Sequence, residues 1–138
     1  MDIAKLIVSI KEHEGLRLKP YVDTTGNVTI SYGVNLSNGI SQDEADYLFG
    51  NRFQSALREA QTESWWQYVA DNDARSRAMV ELVYNLGANG VAGFHDALAA
   101  MQRGDWNACA AAFLDSLWAR QVKQRAEVLA AMLLNGSD

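Results

Sequence analysis

The chain has 138 residues, 49% of them hydrophobic and 21% charged, a balance that suits one globular domain and excludes a disordered polar segment. Its formal charge of −5 argues against nucleic acid as a partner. The single cysteine, Cys109, excludes an internal disulfide and, in its Ala-rich run, reads as a core thiol.

The first elements follow from periodicity. Ile3, Leu6, Ile7 and Ile10 recur at helical spacing behind Asp2, a natural N-cap, so residues 2–13 are expected to form a helix. Lys5, Ser9 and Lys11 interrupt the apolar run, so neither a signal peptide nor a membrane anchor is expected. Gly15 should stop this helix and leave Glu14 at its C-terminal end. There the helix dipole and an apolar neighbourhood would both disfavour the ionised carboxylate. His13, one residue earlier, points about 100° away on a helix and reads as an exposed histidine.

The next stretch changes character. Asp23-Thr24-Thr25-Gly26-Asn27 is rich in turn formers, and Val28 to Val34 is β-branched and aromatic. The expectation is a small antiparallel hairpin or meander, turning near Gly26 and needing helices to pack on. From residue 41 the pattern is helical. Ser41 to Glu44 spells a capping box, and Ala45, Leu48, Phe49, Phe53 and Leu57 follow at helical intervals. Trp65 to Val69 reads as the start of a further helix or a linker, with the rings in the core. Asp73 to Leu86 should be a helix that ends at Gly87-Ala88-Asn89-Gly90. Three more helices are expected at about 91–102, 105–115 and 117–134. A small sheet beside a helical bundle gives an α+β fold, and a polymer would lie in a cleft between two such lobes.

Two carboxylates, Glu14 and Asp23, stand nine positions apart, with Thr29 six further on. Glycoside hydrolysis needs a proton donor for the leaving oxygen and a second, ionised carboxylate. Glu14 at the helix end suits the first role. Asp23, in a polar turn beside Thr24, Thr25 and Asn27, should stay ionised, and Thr29 would hold a water against it. On spacing alone, a solvated helix-end acid and a turn-capping aspartate explain the pair as well.

The flanking residues tip that balance. Glu14-Gly15-Leu16-Arg17-Leu18-Lys19, then Tyr21, Asp23, Gly26 and Thr29-Ile30 resemble the start of the phage-type lysozymes, the T4-lysozyme-like family of peptidoglycan muramidases. Leu82 to Gly87, Gly90 to Phe94, Gly104-Asp105-Trp106, Trp118 and Arg125-Ala126-Glu127 extend the resemblance over most of the chain. It implies a single lysozyme-like domain, with a small β lobe at about 14–50 and a helical lobe made from 1–13 and 51–138. It implies that Glu14, Asp23 and Thr29 are catalytic and cut the MurNAc–GlcNAc β-1,4 bond with inversion. Asn85, Phe94 and Tyr32 would contact substrate, and Arg125 would pair with Glu14 and lower its pKa. Asn85 reads equally as a helix C-cap, and Arg125 also suits a solvated helix face. Trp106 and Trp118, inside helical apolar patterns, read as core rather than as sugar platforms.

The role implied is a phage endolysin, made in the host cytoplasm and released to the wall by a separate holin-like pore. Bacterial peptidoglycan is the partner, reached through a shaped groove because the net charge does not attract an anionic wall. No cofactor is required, two isolated histidines and one cysteine make no metal site, and nothing suggests more than a monomer. Two departures stand out. Where the family usually has Thr-Ile-Gly-x-Gly-His, this chain has Thr29-Ile30-Ser31-Tyr32-Gly33-Val34. Ser31 adds bulk where a glycine is usual, and the histidine is gone. The segment from Val34 to Ser41 is also short. Two alternatives follow: a lytic transglycosylase, needing only Glu14, and a wall-binding or phage structural module without turnover.

Overall fold

Short elements alternate with sharp turns over the first third of the chain, and helices follow to its end, in a computed structural model that describes residues 1–138. The expected α+β fold is found. The backbone divides into two units, Met1–Tyr47 and Leu48–Asp138.

In the first unit, helix α1 spans Ile3–Glu14, opened by Asp2, whose side chain accepts from the Lys5 N–H at 3.0 Å. Gly15 closes it at φ 70°, a conformation that glycine takes without a Cβ penalty. Nothing in this unit covers the apolar residues Ile3, Leu6, Ile7 and Ile10, which stay roughly half-exposed. The sheet is a three-stranded antiparallel meander of β1 (Arg17–Val22), β2 (Val28–Ser31) and β3 (Val34–Asn35), in that order. Tyr21 pairs with Thr29 and Val22 with Val28. The register slips between Arg17 and Tyr21, where Pro20 has no N–H to give the ladder. On the other side of β2, Thr29 pairs with Asn35 and Ile30 with Val34. Ser31 and Gly33 both take positive φ, 61° and 72°, in the turn from β2 to β3. That backbone explains why glycine suits position 31, since a serine there carries strain that a glycine would not.

Helix α2 (Gln42–Thr62) begins in the first unit and ends in the second. Its capping box is reciprocal. The Ser41 N–H donates to Glu44 Oε2 at 2.7 Å and the Glu44 N–H to Ser41 Oγ at 3.3 Å.

The second unit is built on helix α3 (Asp73–Ala92), which buries Met79, Leu82 and Val83. The unit is completed by α4 (His95–Gln102), α5 (Trp106–Leu114), α6 (Leu117–Val122) and α7 (Gln124–Asn135), with α7 packed on both α3 and α5. Its core is rich in alanine, with Phe113, Met79, Leu82, Met101, Leu129 and Leu133 as the largest fully buried side chains. Cys109 is buried there, which pushes its thiol up to about 11.

Three expectations need correction. Gly87, at φ 74° and ψ 161°, breaks the helical backbone where the sequence placed the helix end, but the chain turns helical again from Ala88 to Ala92. The following helix therefore starts at His95, not near residue 91. The stretch 117–134 is two helices, parted at Lys123 (φ 44°), whose N–H donates to the Ala119 carbonyl at 2.8 Å. No glycine or proline marks that break. Trp65 is buried as expected, but Trp66–Tyr68 forms a single 3-10 turn.

Candidate active site

Asp23 owes its environment to the turn it opens. Its N–H donates to the Asn27 carbonyl at 2.9 Å and its carbonyl accepts from the Gly26 N–H at 3.1 Å, closing the β1–β2 connection. Its Oδ1 then accepts three hydrogen bonds, from the Thr25 N–H (2.9 Å), the Thr25 hydroxyl (2.8 Å) and the Asn27 N–H (2.9 Å). The Asn27 amide donates in turn to Thr25 Oγ1 at 2.8 Å and holds that hydroxyl in place. The Asn27 N–H, followed by the Thr25 hydroxyl, holds the Asp23 carboxyl below the usual carboxylate range. Oδ1 is thus occupied. Oδ2 has only Thr29 Oγ1 near it, at 3.5 Å, which is long for a hydroxyl hydrogen bond.

Thr29 is the one buried polar side chain of the first unit, 3% exposed. Its hydroxyl lies 3.1 Å from the Asn27 carbonyl, which takes its proton. The hydroxyl oxygen is therefore left as an acceptor beside Asp23. This pair can orient a small donor such as water without itself being protonated.

Glu14 is the last residue of α1 and is exposed; the apolar neighbourhood expected for it is not found within this unit. Its carboxyl group lies instead against the backbone of Gly33. Tyr32, next to Gly33, is half-buried, with Lys11 Nζ 5.1 Å from its ring centroid. His13 is exposed, as expected for a neighbour pointing off the helix face.

The other residues singled out in the sequence belong to the second unit. Asn85 neither caps a helix end nor stands free. Its Oδ1 accepts from Trp118 Nε1 at 2.7 Å, while the residue also lines a groove of about 530 Å³ with Phe49, Phe53, Trp66, Val80 and Tyr84. Phe94 packs against Phe113 (centroids 4.9 Å apart) and edge-on to Trp118 (6.4 Å). Trp118 is core, and Trp106 is half-buried beneath the Arg75 guanidinium at 3.8 Å. Arg125 Nε stands 3.9 Å from Glu81 Oε1, both side chains about half exposed, so solvent screens that pair.

Thr25 and Asn27, read from the sequence as the polar surroundings that keep Asp23 ionised, are its hydrogen-bond donors, whereas sequence reasoning missed Gly33. For the first two the signal was present. Asp-Thr-Thr-Gly-Asn is the composition of a turn whose side chains bond back to their own backbone. Gly33 gave no local signal, because its neighbour Glu14 lies nineteen residues away in sequence.

The sequence profile of the phage lysozyme family matches residues 11–133, and the chain belongs to that family. It is also similar to the pre-baseplate central spike protein Gp5 of Enterobacteria phage T4, at 30% identity over 167 aligned positions that cover 99% of this chain. The chain spans only 28% of that relative's length. The alignment is longer than the chain itself, so the relative carries residues with no counterpart here. No helix is long and apolar enough to cross a membrane.

Proposed function

We propose that the protein hydrolyses bacterial peptidoglycan as a muramidase, cutting the MurNAc–GlcNAc β-1,4 bond. The observation that carries this reading is the one-sided environment of the Asp23 carboxylate. Asp23 is held ionised by three donors on one oxygen, while the other oxygen stays available beside the buried Thr29 hydroxyl. Family membership supports the reading.

In this mechanism Glu14 protonates the leaving glycosidic oxygen as the bond to the anomeric carbon breaks. Asp23 Oδ2 and Thr29 Oγ1 hold a water on the opposite face of the sugar. Asp23 accepts a proton from that water as it attacks, and the configuration inverts. Tyr32, Asn85 and Phe94 are proposed substrate contacts, with Arg125 as the partner of Glu14. In Asn85 the Trp118 bond engages the carbonyl oxygen, so the amide N–H groups would serve the sugar. The domain reading belongs to the same proposal: one lysozyme-like domain in which residues 1–13 count with 51–138.

Host lysis by a free endolysin, released through a separate holin-like pore, is one setting for this activity. A second is favoured by the similarity to a central spike protein, in which the chain opens the wall as part of a phage particle. Mass spectrometry of purified particles separates them, because only the second setting places the protein in the particle.

The activity itself is tested by incubating the protein with purified peptidoglycan and identifying the soluble fragments by mass. Muropeptides with hydrated reducing ends are expected. Anhydro-sugar products would make the protein a lytic transglycosylase. Wall binding with no fragments would leave a binding module.

A further inference from the structure

Gly33 lies at the turn between β2 and β3 and takes φ 72°. A Cβ on this residue would stand 2.8 Å from Glu14 Cδ and closer still to Oε2. Real Cβ atoms essentially never approach so near, so one group would have to move. Glycine's conformational freedom does not account for this by itself. Gly15, Gly26 and Gly39 also have positive φ, at 70°, 85° and 80°, yet a Cβ on any of them would meet nothing within 4 Å.

The same turn meets α1 at a second place. Lys11 precedes Glu14 by three residues and so shares its face of the helix; its ammonium lies over the ring of Tyr32, the residue before Gly33. The turn is therefore seated on the last turn of α1, with the Lys11–Tyr32 contact beside the Glu14–Gly33 one. An added side chain at 33 would have either to push the Glu14 carboxyl aside or to lift the turn from the helix.

We propose that Gly33 is a positioning residue for Glu14, its missing side chain leaving the space in which the carboxyl group rests. This rests on the reading of Glu14 as the general acid. A proton donor must meet the leaving oxygen within hydrogen-bond reach, and displacement by about 1 Å is enough to slow an enzyme roughly 100-fold.

The test compares Gly33→Ala with Gly39→Ala, which meets the same backbone strain in open space, and with Gly33→Asn. Asparagine tolerates positive φ but still carries a Cβ, so it keeps the turn while filling the space. Soluble glycan strands give separate kcat and KM values, and thermal melting reports folding. Gly33→Asn, and Gly33→Ala where it folds, should lose about 100-fold in kcat at little change in KM. Gly39→Ala should lose thermal stability to a similar extent as Gly33→Ala and keep its kcat. A folded Gly33→Asn with wild-type kcat, or equal losses at positions 33 and 39, would overturn the inference. Glu14→Gln run alongside keeps the two claims apart. If it is inactive while Gly33→Asn is not, only the positioning role fails. If Glu14→Gln keeps its activity, the assignment of the acid fails and the positioning role falls with it.

Discussion

An aspartate that opens a five-residue turn has every reason to spend its side chain on that turn, and Asp23 does so with one oxygen only. Three donors converge on Oδ1 and none but the distant Thr29 hydroxyl approaches Oδ2. The largest contribution to its depressed pKa is the Asn27 N–H, which no side-chain substitution removes; the next is the Thr25 hydroxyl, which Thr25→Ala does remove. That variant should move the acid limb of the kcat/KM profile to higher pH, because Asp23 then protonates sooner. The stability consequence has the same sign. A carboxyl whose folded pKa is depressed favours the folded state above its unfolded pKa, and that contribution is lost as pH falls through the folded value. Denaturant melts of Thr25→Ala should therefore differ from wild type in this respect near neutrality and converge at low pH.

Asn85 calls for a separate measurement at the same scale. Its bond to the largely buried Trp118 indole means that Asn85→Ala leaves a donor unpaired, at a cost of about 1–3 kcal/mol. A fall in melting temperature on that scale is expected whatever becomes of activity. An unchanged melting temperature would argue against the bond.

Helix boundaries were legible wherever a side chain announces them. Asp2, Ser41 with Glu44, and Gly15 each end an element by supplying or accepting a specific hydrogen bond, and all act where the sequence puts them. The break at Lys123 was not legible. Lys123 takes φ 44°, a conformation rare for a residue with a side chain, and no local pattern encodes it. The two readings of Asn85 likewise left out Trp118, thirty-three residues away. The Asp23 turn was the opposite case, since its network runs between residues two to six apart. Arg75 shows how the long-range terms work between elements. From the first turn of α3 its Nε donates to the Leu133 carbonyl at 2.8 Å and Nη2 to the Leu134 carbonyl at 3.3 Å, while its plane covers Trp106. It satisfies the end of α7 that the helix itself leaves open. Arg75→Ala should lower unfolding free energy by about 2 kcal/mol, from the lost charged hydrogen bonds and the bared ring. Chemical denaturation measures it, and a loss within error of zero would contradict the role.

At the scale of the molecule, the second unit offers its own reporter. Cys109 is fully buried with its thiol raised to about 11, and a thiol reagent needs both access and the thiolate. Labelling of the native protein should be slow and should accelerate with denaturant in step with loss of helix. Rapid labelling under native conditions would show that the helical core opens locally. The first unit carries the proposed chemistry, with Glu14, Asp23, Thr29 and Gly33 all within residues 1–47. The direct test of that claim is the rate at which wild type, Glu14→Gln and Asp23→Ala release reducing ends from purified peptidoglycan, each variant first shown to be folded. The account predicts release by wild type and a loss of at least about 100-fold in both variants, the scale of a general acid or base. Wild-type rates in either variant would contradict it.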